Sequence, residues 1–123
     1  MTERVYRFGT AGFDWTIAHE GNAEVAVSRV LSTSAINWID LVRIPPGHGI
    51  GRHTHGADDE EIYIIVDGTG TMTVEERDFP VGPGDVAYNP AGGTHGLLND
   101  GSRELRLVVV GVPAAQARRQ AFE

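Results

Sequence analysis

A chain of 123 residues with a formal net charge of −7 is long enough to bury a core of its own, and it reads as one domain spanning 1–123. The acidic balance argues against nucleic acid or an anionic membrane surface as a partner, since both need a basic face. With no cysteine, the chain has no disulfide, no thiolate ligand and no cysteine nucleophile.

Taken in order, the chain offers many short apolar runs. Strands are expected at 5–8 and 15–19, each ended by glycine, then at 25–31, which is rich in β-branched residues. A longer strand at 36–44 stops at Pro45-Pro46-Gly47. From there the expected strands are closely spaced: the His53 region, then 61–66, 69–75, 79–81, 85–89, 95–99 and 104–112. Asp67-Gly68, Gly82-Pro83-Gly84 and Asn99-Asp100-Gly101 mark turns between them, whereas the turn near 75–78 lacks the glycine a tight hairpin favours. Pro113 fits the first position of a short helix over 114–122. Short strands with Gly and Pro corners and no long helical period predict an all-β sandwich or barrel.

No run approaches the ~18 apolar residues of a membrane span. The start, Met-Thr-Glu-Arg, lacks the apolar stretch of a signal peptide, so a cytoplasmic protein is expected. The run at 105–110 is apolar apart from Arg106, and such a strand usually has both faces covered. Either an N-terminal strand or a second subunit would cover the outer face, and a two-fold homodimer is the expected assembly.

The chemistry concentrates in two stretches. His53 and His55 stand two apart, which puts both imidazoles on one face of a strand, and Glu61 opens the next apolar run. His95 follows a Pro-Ala-Gly-Gly corner further on. Three imidazoles and a carboxylate suit a divalent transition metal: iron, manganese, nickel, copper, zinc or cobalt. Each histidine alone would read as an exposed loop residue or a satisfied core residue; the linked spacings favour the metal.

Both stretches resemble the paired signatures of the cupin family. The first family pattern is Gly, five residues, His-x-His, three or four residues, Glu, six residues, Gly. Gly47, His53, His55, Glu61 and Gly68 fit it, except that five residues separate His55 from Glu61. Gly84, Pro90, Gly92, His95 and Asn99 fit the second pattern throughout. Glu60 would restore the spacing to His55 but break the spacing to Gly68. Glu61 is favoured, because 56–59 is loop and can absorb an insertion. The resemblance implies a double-stranded β-helix, or jelly-roll barrel, with one metal held by His53, His55, Glu61 and His95.

Other residues are weaker candidates. Tyr63 shares the expected inward face with Glu61 and is the obvious proton carrier, although such a tyrosine is more often core. His48 could approach the barrel mouth but reads best as a turn residue. On 36–44, either Trp38, Asp40 and Val42 or the alternate set faces inward; the first phase would make Asp40 a carboxylate close to the metal. Asp58-Asp59-Glu60 reads as a solvated loop, and Asn99 as a turn cap rather than a substrate contact. Small cupins include sugar isomerases and epimerases, dioxygenases, lyases and polyketide cyclases. With no separate nucleophile, the resemblance implies a metalloenzyme acting on a small oxygenated substrate; the alternative is a binding or sensing module with a structural metal.

Overall fold

The computed structural model describes residues 4–114. Among these residues, ten strands form two antiparallel sheets. They are β1 (Asp14–Thr16), β2 (Val25–Leu31), β3 (Trp38–Ile44), β4 (Gly49–Thr54), β5 (Asp59–Asp67), β6 (Gly70–Val74), β7 (Arg77–Val81), β8 (Val86–Asn89), β9 (Thr94–Leu98) and β10 (Leu105–Pro113). One sheet has the order β1-β2-β3-β10-β5-β8 and the other β4-β9-β6-β7. This is the all-β architecture expected from the sequence, consistent with a double-stranded β-helix. Among the described residues no helix is long and apolar enough to cross a membrane.

The core lies between the sheets. Val42 and Ile44 from β3, Tyr63 and Ile65 from β5, Leu107 and Val109 from β10 meet Ile50, Met72 and Leu97 from the smaller sheet. These inward residues alternate along each strand, as period-two side-chain placement requires. Rows run straight across the large sheet: Trp38, Gly111, Glu61 and Asn89 are successive register partners, as are Asp40, Val109, Tyr63 and Ala87. The phase of β3 is therefore the one that turns Trp38, Asp40 and Val42 inward.

Some expectations need correction. Residues 5–8 form no strand; instead Phe8 and Phe13 stack at 6.3 Å and receive Arg106 and Arg43 over their rings. Arg43 and Arg106 both donate to Glu104, so the N-terminal segment covers part of the outer face of the large sheet by capping an ion-paired cluster. The strand expected at 15–19 is only Asp14–Thr16, because His19 and Glu20 adopt left-handed backbone with φ of 53° and 57°. The hairpin at 75–78 does form, and tightly: Val74 pairs with Arg77, and Glu75 supplies the positive φ that a glycine would have signalled. Pro113 ends β10, and the helix expected over 114–122 falls almost wholly outside the described residues.

A candidate metal centre

β4 is bulged. Gly49 and Ile50 pair with Leu98 and Leu97, but His53 pairs with His95, one residue out of step. The bulge inverts the alternation, so Ile50 and His53, three apart, both face inward. His53 and His55 then share a face, His95 stands directly across from His53, and Glu61 points in from β5 of the other sheet. The four ligand atoms lie within 4.8 Å of one another, an arrangement that could hold a metal ion.

The contacts are specific. His53 Nε2 is 3.0 Å from His55 Nε2, and Glu61 Oε1 is 3.0 Å from both His55 Nε2 and His95 Nε2. Bonds of about 2.1 Å meeting at right angles span about 3.0 Å, whereas tetrahedral bonds of that length span about 3.4 Å. Contacts of 3.0 Å would suit a six-coordinate ion, which would leave room for ligands beyond these four side chains. His53 Nδ1 donates to the Gly51 carbonyl at 2.8 Å, which leaves its Nε2 lone pair for the cluster. Burial drives the His53 pKa down to about 4, with the neighbouring imidazoles adding to the fall, so the ring is neutral in neutral solution. Burial alone would raise Glu61; the His95 hydrogen bond, the charges of His55 and His95 and the Trp38 hydrogen bond reverse this and hold it below its ordinary range. Both groups are in the form that binds a cation.

Around the donors the wall is partly polar. Trp38 Nε1 donates to Glu61 Oε2 at 3.0 Å. Tyr63 is buried against His95, edge-on at 5.4 Å, and burial, the charge of Glu61 and a hydrogen bond to Glu61 push its hydroxyl well above 10. Asp40 pairs with Arg29 through both carboxylate oxygens, at 2.9 and 3.1 Å. A cavity of about 290 Å³ opens beside the cluster, lined by His19, Asp40, Glu61, Tyr63 and aliphatic residues that include Val27 and Val42. A larger groove of about 400 Å³ lies over Gly49, Gly51 and Gly96 and holds none of the four donors. Asn89, buried beside Glu61, has neither side-chain polar atom hydrogen-bonded, and His95 Nδ1 is likewise without a partner. Buried polar atoms left open next to converging donors fit a site that takes up a further group.

A cupin domain model matches residues 40–111. The chain belongs to the cupin family. Among curated relatives, an oxalate-binding protein of Thermotoga maritima is 31% identical over 94 residues, which is 73% of this chain and 77% of that protein. A solved structure described as a predicted oxalate decarboxylase from Thermotoga maritima is 26% identical and covers 89% of this chain and 98% of its own, with a TM-score of 0.84. A cupin 2 conserved barrel domain protein from Salinispora arenicola, 22% identical, shares the fold over 99% of this chain and 97% of its own, with a TM-score of 0.68.

Of the residues singled out by the sequence, His53, His55, Glu61 and His95 come together. Glu60 does not: it points to the outer face, where its carboxylate accepts from the Tyr88 hydroxyl at 2.9 Å. His48 stays away from the cluster, with Nδ1 at 2.6 Å from the Glu24 carbonyl. Asn99 is a fold residue, donating to the Ile44 and Arg103 carbonyls and accepting from Gly101 N–H. The sequence reading passed over His19, whose ring stacks on His53 with centroids 3.5 Å apart and planes 9° apart. Its position depends on a turn more than thirty residues upstream, and no motif spacing points to it.

Proposed function

We propose that this cupin holds one divalent transition metal through His53, His55, Glu61 and His95, and uses it to bind a small oxygen-donor molecule, with a small carboxylate such as oxalate as the leading candidate. The observation that carries the reading is the convergence of three imidazole nitrogens and one carboxylate oxygen at 3.0 Å contacts. The likeness to an oxalate-binding protein supports the ligand class. When bound, the ion would act as a Lewis acid and polarise a carbonyl or carboxyl oxygen. The rest falls to the chain's own side chains. Trp38 holds Glu61 by a hydrogen bond, and aliphatic residues form much of the cavity wall. Tyr63, whose hydroxyl is pushed well above its ordinary range, stays protonated and would serve a bound molecule as a hydrogen-bond donor.

Two readings share this site: an enzyme that transforms the bound molecule, and a binding protein that only holds it. Among the described residues, no hydrogen bond joins a nucleophile in the cavity wall to a base, which supports metal-templated chemistry over covalent catalysis. The name of the curated relative supports simple binding. Elemental analysis of protein purified without added metal, followed by oxalate titration and assay for carbon dioxide and formate, tests both. Metal at one equivalent with oxalate turnover supports the enzyme; tight binding without turnover supports the binding protein. Protein that takes up no transition metal contradicts both.

We also propose a homodimer through the outer face of the six-stranded sheet. Ile62, Ile64, Val86, Tyr88, Val108 and Val110 are register partners there and form a continuous apolar surface. A monomeric mass by light scattering at micromolar concentration would count against it.

A further inference from the structure

We propose that His19 is the ligand-positioning residue of the metal site: it stands beside the ion rather than on it and hydrogen-bonds the small molecule held there. This rests on the metal-dependent reading above. Three independent features carry it.

The first is placement. The His19 ring lies face to face with His53 but outside the set of four converging donors. Its ring centroid is 6.4 Å from that of His55, so the ring flanks the donor cluster without joining it. His19 also lines the cavity together with Glu61 and Tyr63. The second is availability. His19 is exposed at the rim, and neither ring nitrogen has a hydrogen-bond partner among the described residues, whereas His53, His55 and His95 are each engaged.

The third is the construction beneath it. His19 and Glu20 both hold left-handed backbone, which is strained for non-glycine residues. The turn is seated on the β4 bulge: Gly51 N–H donates to the Ala18 carbonyl at 2.9 Å, and so does Gly21 N–H at 3.1 Å. A Cβ on Gly51 would collide with the His19 carbonyl, and one on Gly21 with the Gly49 carbonyl. Glycine at 21 and 51 is what lets the turn come this close. The same Gly51 whose carbonyl orients His53 therefore also holds the backbone that places His19. A strained turn tied to the bulge that aims a metal-site histidine is a costly way to place a solvated side chain, and a direct way to place a functional one.

The test loads the full chain with Co(II) and follows the visible spectrum as oxalate, and separately azide, is added. His19→Phe keeps a stacking ring and removes the nitrogens. His19→Asn keeps a hydrogen-bonding group and tolerates the left-handed backbone. Both variants are expected to bind Co(II) within threefold of the parent. Oxalate or azide affinity is expected to fall at least tenfold in His19→Phe and to stay within threefold in His19→Asn. Unchanged anion affinity in His19→Phe would overturn the inference and leave the metal reading intact. So would a parallel loss of Co(II) affinity in both variants, since His19 would then only brace His53. A Co(II)-loaded parent that binds neither anion also overturns it, and a parent that takes up no Co(II) removes the metal reading with it.

Discussion

Trp38 donates its indole N–H to Oε2 of Glu61 at 3.0 Å, while Oε1 of the same carboxylate faces His55 and His95. One oxygen is thus tied to the wall and the other left for the cluster. The indole is itself fixed by its neighbour in the row: it lies flat over Gly111, where a Cβ would run into the ring. Partners of this kind set ligand orientation, and their loss typically costs 10–100-fold in metal affinity. Trp38→Phe is expected to weaken metal binding by about tenfold with the fold retained. Gly111→Ala is expected to do the same by displacing the indole, and to lower stability by about 1–3 kcal/mol through overpacking. Competition titration against a chelator and a thermal melt measure the two effects separately.

Glu60 and Glu61 are adjacent in sequence and opposite in role. Glu61→Gln is expected to abolish tight metal uptake, because the only carboxylate oxygen in the cluster is lost. Glu60→Gln should leave uptake within about twofold, since residue 60 faces the Tyr88 hydroxyl on the outside of the sheet. Metal content after dialysis distinguishes them. The reverse result would mean that β5 is shifted by one residue from the register described here, which would also turn Tyr63 outward.

Glu61 joins the cluster of His53, His55 and His95 for a reason that lies in its strand. β5 continues without interruption from Asp59 to Asp67, so Gly68 fixes its register, and the extra residue between His55 and Glu61 is taken up in the loop. The convergence of the four candidate donors is legible in the sequence, because residues that meet at one point across two sheets leave fixed spacings in the chain. The phase of β3 was not readable: Arg43 on one face and Asp40 on the other gave no asymmetry. Arg43 proves to be covered by Phe13 and Glu104, and Asp40 to be matched by Arg29. The bulge at Gly51 was hidden too, since it breaks the very alternation used to read strands. With it went the seat of His19. Residues 5–8, apolar enough to suggest a strand, serve as a cover for the large sheet, a role that periodicity cannot express.

Asn99 ends the second signature, and its task is structural. Its buried amide donates to Ile44 and Arg103 carbonyls, each at 2.8 Å, and accepts from Gly101 N–H at 3.0 Å, tying the loop after β9 to the end of β3. Asn99→Ala would strand these backbone groups away from water. At about 1 kcal/mol or more for each, a loss of about 3 kcal/mol is expected in urea unfolding. Metal affinity of the folded fraction should be unchanged, because Asn99 touches none of the donors. A variant that stays stable but loses metal would contradict this assignment.

Acid should destabilise the metal-free protein through the same groups that would hold the ion. His53 has its pKa lowered from 6.5 to about 4, chiefly by burial. Between those two values the unfolded chain carries a proton on His53 that the folded chain does not, so stability rises with pH across that window. The contribution is complete above about pH 6.5 and is lost as pH falls toward 4. Glu61, held below its ordinary range, adds a loss of the same sign at lower pH. A bound ion steepens the dependence, because protons and metal compete for the imidazoles. Urea unfolding at pH 7, 6, 5 and 4 in the presence of EDTA isolates the protein's own share. His53→Gln, which cannot titrate, is expected to show a shallower decline than the parent over the same range. Parallel profiles for the two would mean that His53 is no harder to protonate in the fold than out of it, and that its burial against His55, His95 and His19 is not maintained in solution.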